Sequence, residues 1–257
     1  MRTHYTSDTD NRSFVLIFFI DTAGEIANMP TFFQAGLIIG IQQGVYEGDV
    51  DFKRLEQHGD TGLGTLNGVD GEMIAIDNDF YHIDSAGAIK KIDPVTLTPF
   101  SIVTKFNPTL SFMIAKITSL DELTILLDTH IPTPNIFYMM RIDAELDWIK
   151  IDGENCKMRP AKPLIPRSSE FTHLAGSLIV TRCPDYSAAF TIPGYHYHFI
   201  DSTKTRGGHV ADLKIKTASV KMTFMRRFSM VLFNNKSFNS MELSSTPREI
   251  SQPIYQK

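Results

Sequence analysis

The sequence predicts an α+β protein of two packed, mixed β-sheet subdomains with flanking helices, and with a metal site on a C-terminal strand pair. Three observations carry that expectation. Runs rich in Val, Ile, Phe and Tyr, such as residues 80–83, 100–106 and 195–200, recur between Gly, Asn, Asp and Pro clusters, as strands do. Helical spacing is confined to a few short stretches. The segment 174–180 echoes 69–75, which suggests duplication of one mixed unit. A chain of 257 residues with 42% hydrophobic content can bury a sizeable core in such an arrangement. The expected division is an N-terminal extension (1–30), an α+β subdomain (31–160), a β-rich metal-binding subdomain (161–233) and a C-terminal tail (234–257).

Residues 14–20 form an apolar run of seven after Arg2 and Arg12, much too short to span a bilayer. Asp8 and Asp10 cancel the upstream positive charge. The run reads as a short strand in a loosely docked extension, and the expected location is cytoplasmic, with secretion as the alternative. Cys156 and Cys183 lie far apart in sequence, so no disulfide framework is expected and a reducing compartment is the default. A net charge of -4 offers no basic face for nucleic acid.

Further along, Phe32, Phe33, Gly36, Leu37 and Gly40 recur at helical spacing after Pro30, predicting a helix over 31–45. A second helix over 50–57 ends at Gly59. Glycines flank Leu63, and Glu72 opens an apolar strand where a carboxylate without a partner is costly to bury. Residues 77–92 read as a hairpin with His82 on an exposed strand position, and 99–106 as another strand. Ser119 and Glu122 form a capping box ahead of the Leu120, Leu123 and Leu127 stripe. Residues 135–142 read as a strand paired with 148–151, and 160–169 as a loop between subdomains. Strands follow at 210–215 and 218–224, and the tail is polar and helix-poor.

The chemistry concentrates in Gly194-Tyr195-His196-Tyr197-His198-Phe199-Ile200-Asp201 and Arg206-Gly207-Gly208-His209-Val210. On a strand His196 and His198 share one face, with Tyr195, Tyr197 and Phe199 on the other. Gly207-Gly208 reads as a tight reversal that returns His209 beside them. Three neutral imidazoles then converge and leave coordination positions open, as in catalytic zinc sites; imidazole also suits iron, copper and nickel.

These two segments closely resemble the metal-binding stretch of the alpha-acetolactate decarboxylases, and the similarity runs from about Phe33 into the C-terminal region. The resemblance implies that His196, His198 and His209 hold zinc, and that Thr65 and Glu72, in elements matching that family's Gly-Leu-Gly-Thr and Gly-Glu, line the active site. It implies metal-dependent decarboxylation of a branched 2-hydroxy-3-keto acid, 2-acetolactate, to acetoin and carbon dioxide, with no organic cofactor; a homodimer is consistent with it. Two positions depart from the family. An ungapped count puts Asp152 where its catalytic arginine stands and Tyr255 where its tail glutamate enters the metal site, with Glu249 the nearest acid. An arginine fork binds a carboxylate or enolate oxygen, whereas an aspartate repels it, so Arg141 and Arg159 are the nearby cations to consider. Two alternatives stand beside this reading: a metal-dependent ketol isomerase, and a non-catalytic, cupin-like metal or small-molecule binder. Cupins usually carry a glutamate soon after H-x-H, and here Asp201 is the nearby acid.

Overall fold

The computed structural model describes residues 29–84, 87–152 and 168–243. Most of the N-terminal extension, the greater part of the 160–169 loop, and Cys156, Arg159, Glu249 and Tyr255 lie outside the described residues. In chain order the first elements are β1 (Thr31–Ala35), α1 (Ile38–Gln42), β2 (Val50–Asp51), α2 (Phe52–His58), β3 (Thr61–Leu66), β4 (Asp70–Ile76), β5 (Asp79–Ile83) and β6 (Ile89–Lys91). Next come β7 (Leu97–Thr98), β8 (Phe100–Thr104), β9 (Leu110–Ile117), α3 (Leu120–Asp128) and β10 (Phe137–Asp152). The last are β11 (Ser168–Cys183), β12 (Gly194–Asp201), β13 (Gly207–Met225), β14 (Arg227–Val231) and α4 (Lys236–Ser240).

Mixed sheets with few helices make this an α+β fold. A seven-stranded sheet runs β14-β1-β8-β3-β4-β5-β6, and a five-stranded sheet runs β10-β11-β12-β13-β9. Because β10 also pairs with β13, strands β10 to β13 close into a small barrel. The free edge of β13 is shared: residues 207–209 pair with β12, and residues 215–222 pair with β9. Helix α3 packs at that junction, burying Leu123 and Leu127 in the barrel core. Its N-cap Ser119 accepts from the Glu122 amide, while Glu122 accepts from the amide and hydroxyl of Thr118. These sheets divide the chain elsewhere than at residue 160: β9 and β10 belong with the C-terminal strands, and β14 pairs with β1.

Long-range pairing corrects several local expectations. Residues 31–35 form a strand, not the start of a helix, because β1 lies between β14 and β8. There Phe32 enters the core between the two sheets while Phe33 enters the outer core with Phe52 and Leu55 of α2, a period of two that helical spacing had mimicked. Residues 148–151 do not fold back on 135–142 but continue the same strand, β10, whose register shifts around Leu146 and at Lys150/Ile151 absorb the irregularity. Residues 210–215 and 218–224 are likewise one strand, β13, and Ser168 and Ser169 already belong to β11.

The β12–β13 reversal also differs from expectation. Gly207 and Gly208 already pair with Ile200 and Phe199, and the turn is made by residues 202–206. Asp201 organises it: its carboxylate accepts from the Thr203 hydroxyl at 2.6 Å and from the Thr205 and Arg206 amides at 2.8 and 3.0 Å. Burial pushes this carboxyl up, but those donors outweigh burial and hold it below the usual aspartate range. Its contribution to stability is therefore complete above about pH 4, the unfolded value, and is lost as pH falls through the lower folded value. Asp201→Ala, which strands the two amides, is expected to cost about 1–3 kcal/mol. Urea unfolding at neutral pH measures that loss, and an unchanged midpoint would remove Asp201 from the turn's energetics.

Candidate functional site

Strand β12 is buried on both faces, and its side chains divide with the strand period. Tyr197 and Phe199 enter the barrel core, with Tyr197 hydrogen-bonded to Thr124 of α3 at 2.8 Å. His196 and His198 face the seven-stranded sheet, and Ile200 of the same row joins the core between the sheets. His209 stands opposite His198 in the β12–β13 ladder. Gly208 before it has φ +143°, and a Cβ there would sit 2.6 Å from Ile151 Cγ2, so a side chain would push β13 away from β10.

The three rings cluster as expected. Their centroids are 4.7 Å (196–198), 5.1 Å (196–209) and 5.9 Å (198–209) apart. Desolvation by burial lowers all three pKa values, to about 4 for His198 and His209, so the imidazoles are neutral at physiological pH. His198 Nδ1 lies 3.0 Å from the Met73 carbonyl on β4, which assigns the proton to Nδ1 and leaves Nε2 with a lone pair. That Nε2 is 3.1 Å from His196 Nε2 and 3.1 Å from Glu72 Oε2.

A backbone irregularity aims Glu72 at the histidines. Between the pairs Gly64↔Met73 and Leu66↔Asp70 the β3–β4 register shifts, so Gly71 and Glu72 together oppose Thr65, forming a β-bulge. Gly71 has φ +65°, and a Cβ on it would lie 2.2 Å from the Ile83 carbonyl oxygen. The Thr65 hydroxyl donates to the Gly71 carbonyl at 2.6 Å. The structure thus brings His196, His198, His209 and Glu72 together, and places Thr65 one hydrogen bond from the backbone that carries Glu72.

Asp152 ends β10 directly opposite His209, on the same face of the ladder, and its charge favours the protonated form of that imidazole. Arg141 does not turn toward the centre; it pairs with Asp77 and Asp143. His82, expected on an exposed position, is 3% exposed. Sequence reasoning missed the Met73 carbonyl, which no side chain announces, and the burial of His82, for which the alternation of Phe80 with His82 was the available signal.

Among the described residues no three or more His, Cys, Asp or Glu side chains stand as a complete set of metal ligands, although the spacing around His198 Nε2 suits a divalent cation. Ligands about 2.0–2.1 Å from one ion stand about 2.9–3.4 Å apart at octahedral to tetrahedral angles, which brackets the spacing around His198 Nε2. An unprotonated nitrogen facing a carboxylate oxygen at 3.1 Å calls for a proton or a cation among these atoms.

Residues 32–245 match the family profile described as alpha-acetolactate decarboxylase. The alpha-acetolactate decarboxylase of Methylococcus capsulatus is 35% identical over 222 residues, covering 84% of this chain and 85% of that protein. That of Methanosarcina mazei is 32% identical over 222 residues, covering 84% and 77%. The crystal structure of alpha-acetolactate decarboxylase from Bacillus subtilis strain 168 superposes with a TM-score of 0.77 at 26% identity, covering 84% of this chain and 95% of that one.

Proposed function

From the premise that the chain belongs to the alpha-acetolactate decarboxylase family, we infer that it is a carboxy-lyase converting 2-acetolactate to acetoin and carbon dioxide. The observation that carries this reading is the convergence of His196, His198, His209 and Glu72, from two different sheets, on one buried point within the matched region. Nothing among the described residues favours the isomerase or binding-protein alternatives. No helix among them is long and apolar enough to cross a membrane.

His196, His198 and His209 would hold a divalent metal ion, zinc by the preference of an imidazole trio with open positions. When bound, the ion supplies Lewis acidity that stabilises negative charge developing on substrate oxygens. Decarboxylation breaks the bond between the carboxyl carbon and C2, and the bonding pair moves into an enediolate across C2 and C3. A proton must then reach C2 to give acetoin. Glu72 is suited to deliver it: its side chain is 15% exposed, open enough to be reprotonated from solvent and close enough to His198 to meet a substrate held there. Thr65, whose hydroxyl proton is committed to Gly71, keeps lone pairs to accept from a substrate hydroxyl. The buried, neutral imidazoles need no deprotonation to ligate at neutral pH.

The test is acetoin formation from racemic 2-acetolactate by zinc-loaded protein, with the His198→Ala variant and buffer as controls for spontaneous decarboxylation. Zinc-dependent acetoin is the expected result. A protein that binds zinc but makes no acetoin above buffer would overturn the reading.

A further inference from the structure

We propose that His82 is a positioning residue for Glu72, acting through the backbone of the β4 bulge; this rests on the reading of Glu72 as the proton-transferring group. The β4–β5 ladder runs from Ile76↔Asp79 to Glu72↔Ile83 and stops there. Two residues beyond that last pair on β4, the Asp70 carbonyl oxygen lies 2.9 Å from the His82 Nε2, so an imidazole holds the backbone where the ladder has ended. The Asp70 carboxylate is more distant, at 3.9 Å, and the carbonyl is the hydrogen-bond partner. With its acceptors on that side, Nε2 carries the proton, as assigned from the hydrogen bond.

The ring is held close. It is buried, and a Cβ on Gly71 would meet its Nε2 at 2.9 Å, so Gly71 leaves room for the imidazole to reach Asp70. On the opposite side of β4, Thr65 holds the Gly71 carbonyl. The two carbonyls before Glu72 are therefore gripped by side chains from two neighbouring strands, and the carbonyl after it, Met73, accepts from His198. Glu72 is the bulged residue between these anchors. Without the His82 anchor the bulge loses its hold on the Asp70 carbonyl and keeps a glycine at its hinge, and the Glu72 carboxyl loses its fixed aim. A buried histidine that served packing alone would be replaced by an apolar residue without cost to the chemistry.

The experiment compares His82→Leu, which removes the donor, with His82→Gln, whose amide can donate to Asp70, in zinc-loaded protein; His82→Met removes the donor in the same way should His82→Leu not fold. Turnover, KM and zinc content are measured in both the parent and the Glu72→Gln background, alongside amide hydrogen exchange. The expected result is a kcat about 10–100-fold lower in His82→Leu, as for lost supporting partners of a site, with KM and zinc content unchanged. Exchange accelerates at residues 70–73 but not at 74–76, His82→Gln recovers most of both effects, and His82→Leu costs nothing more once Glu72 is glutamine. Parental kcat in His82→Leu, a Gln variant as slow as the Leu variant, or an equal loss in the Glu72→Gln background would each overturn the proposal. Full turnover in Glu72→Gln alone would instead sink the assignment of Glu72, and this proposal with it.

Discussion

His198→Ala is expected to lose bound zinc and acetoin formation together. The His198 ring is engaged at both nitrogens: Nδ1 is anchored on the Met73 carbonyl, and Nε2 faces both His196 Nε2 and Glu72 Oε2. Its loss removes one of the three imidazoles proposed as ligands and strands a buried carbonyl. Removing a mere supporting partner of a metal ligand costs about 10–100-fold, so removing the ligand itself should lower turnover by more than about 100-fold, down to the rate in buffer. The measurement pairs metal content after dialysis with the acetoin rate. Far-UV circular dichroism checks that the barrel persists. A folded His198→Ala protein with full zinc and full turnover would dismantle the assigned centre.

The second large effect separates chemistry from metal binding. Glu72→Gln preserves the shape of the side chain but removes its transferable proton, so zinc should stay while kcat falls by about 100- to 10,000-fold. The histidine trio does not depend on Glu72 for placement, since β12 and β13 set the ring positions from the barrel side. Metal content and steady-state kcat, measured on one preparation, decide the matter. Undiminished turnover would remove Glu72 from the mechanism, and loss of zinc with turnover would make it a ligand instead.

Much of the site was legible because its parts obey short-range rules. Period-two alternation along 194–201 put His196 and His198 on one face whatever the strand paired with, and the structure agrees. The cost of an unpartnered carboxylate flagged Glu72 at the mouth of an apolar strand, and its partner proved to be a histidine of the other sheet. The Ser119 cap and its leucine stripe held for the same local reason. Where local signals conflicted with pairing, pairing won. Phe32 and Phe33 fit a helix as well as a strand, and β8 and β14 decided between them. Gly207-Gly208 suits a turn as well as a close strand approach, and the Asp201 carboxylate drew the reversal to 202–206.

By itself, then, the sequence determined the element types with strong periodicity, the shared face of His196 and His198, the return of His209 and the need of Glu72 for a partner, because each depends on backbone period or on burial cost over a few residues; Thr65 became a candidate only through the family resemblance. Tertiary structure alone decided that β10 closes the barrel, that β4 from the other sheet supplies Glu72 and the Met73 carbonyl, that Asp152 faces His209, and that His82 is buried against Asp70. These are contacts between residues up to 125 positions apart, set by sheet register and layer packing, and no local pattern in the chain encodes them.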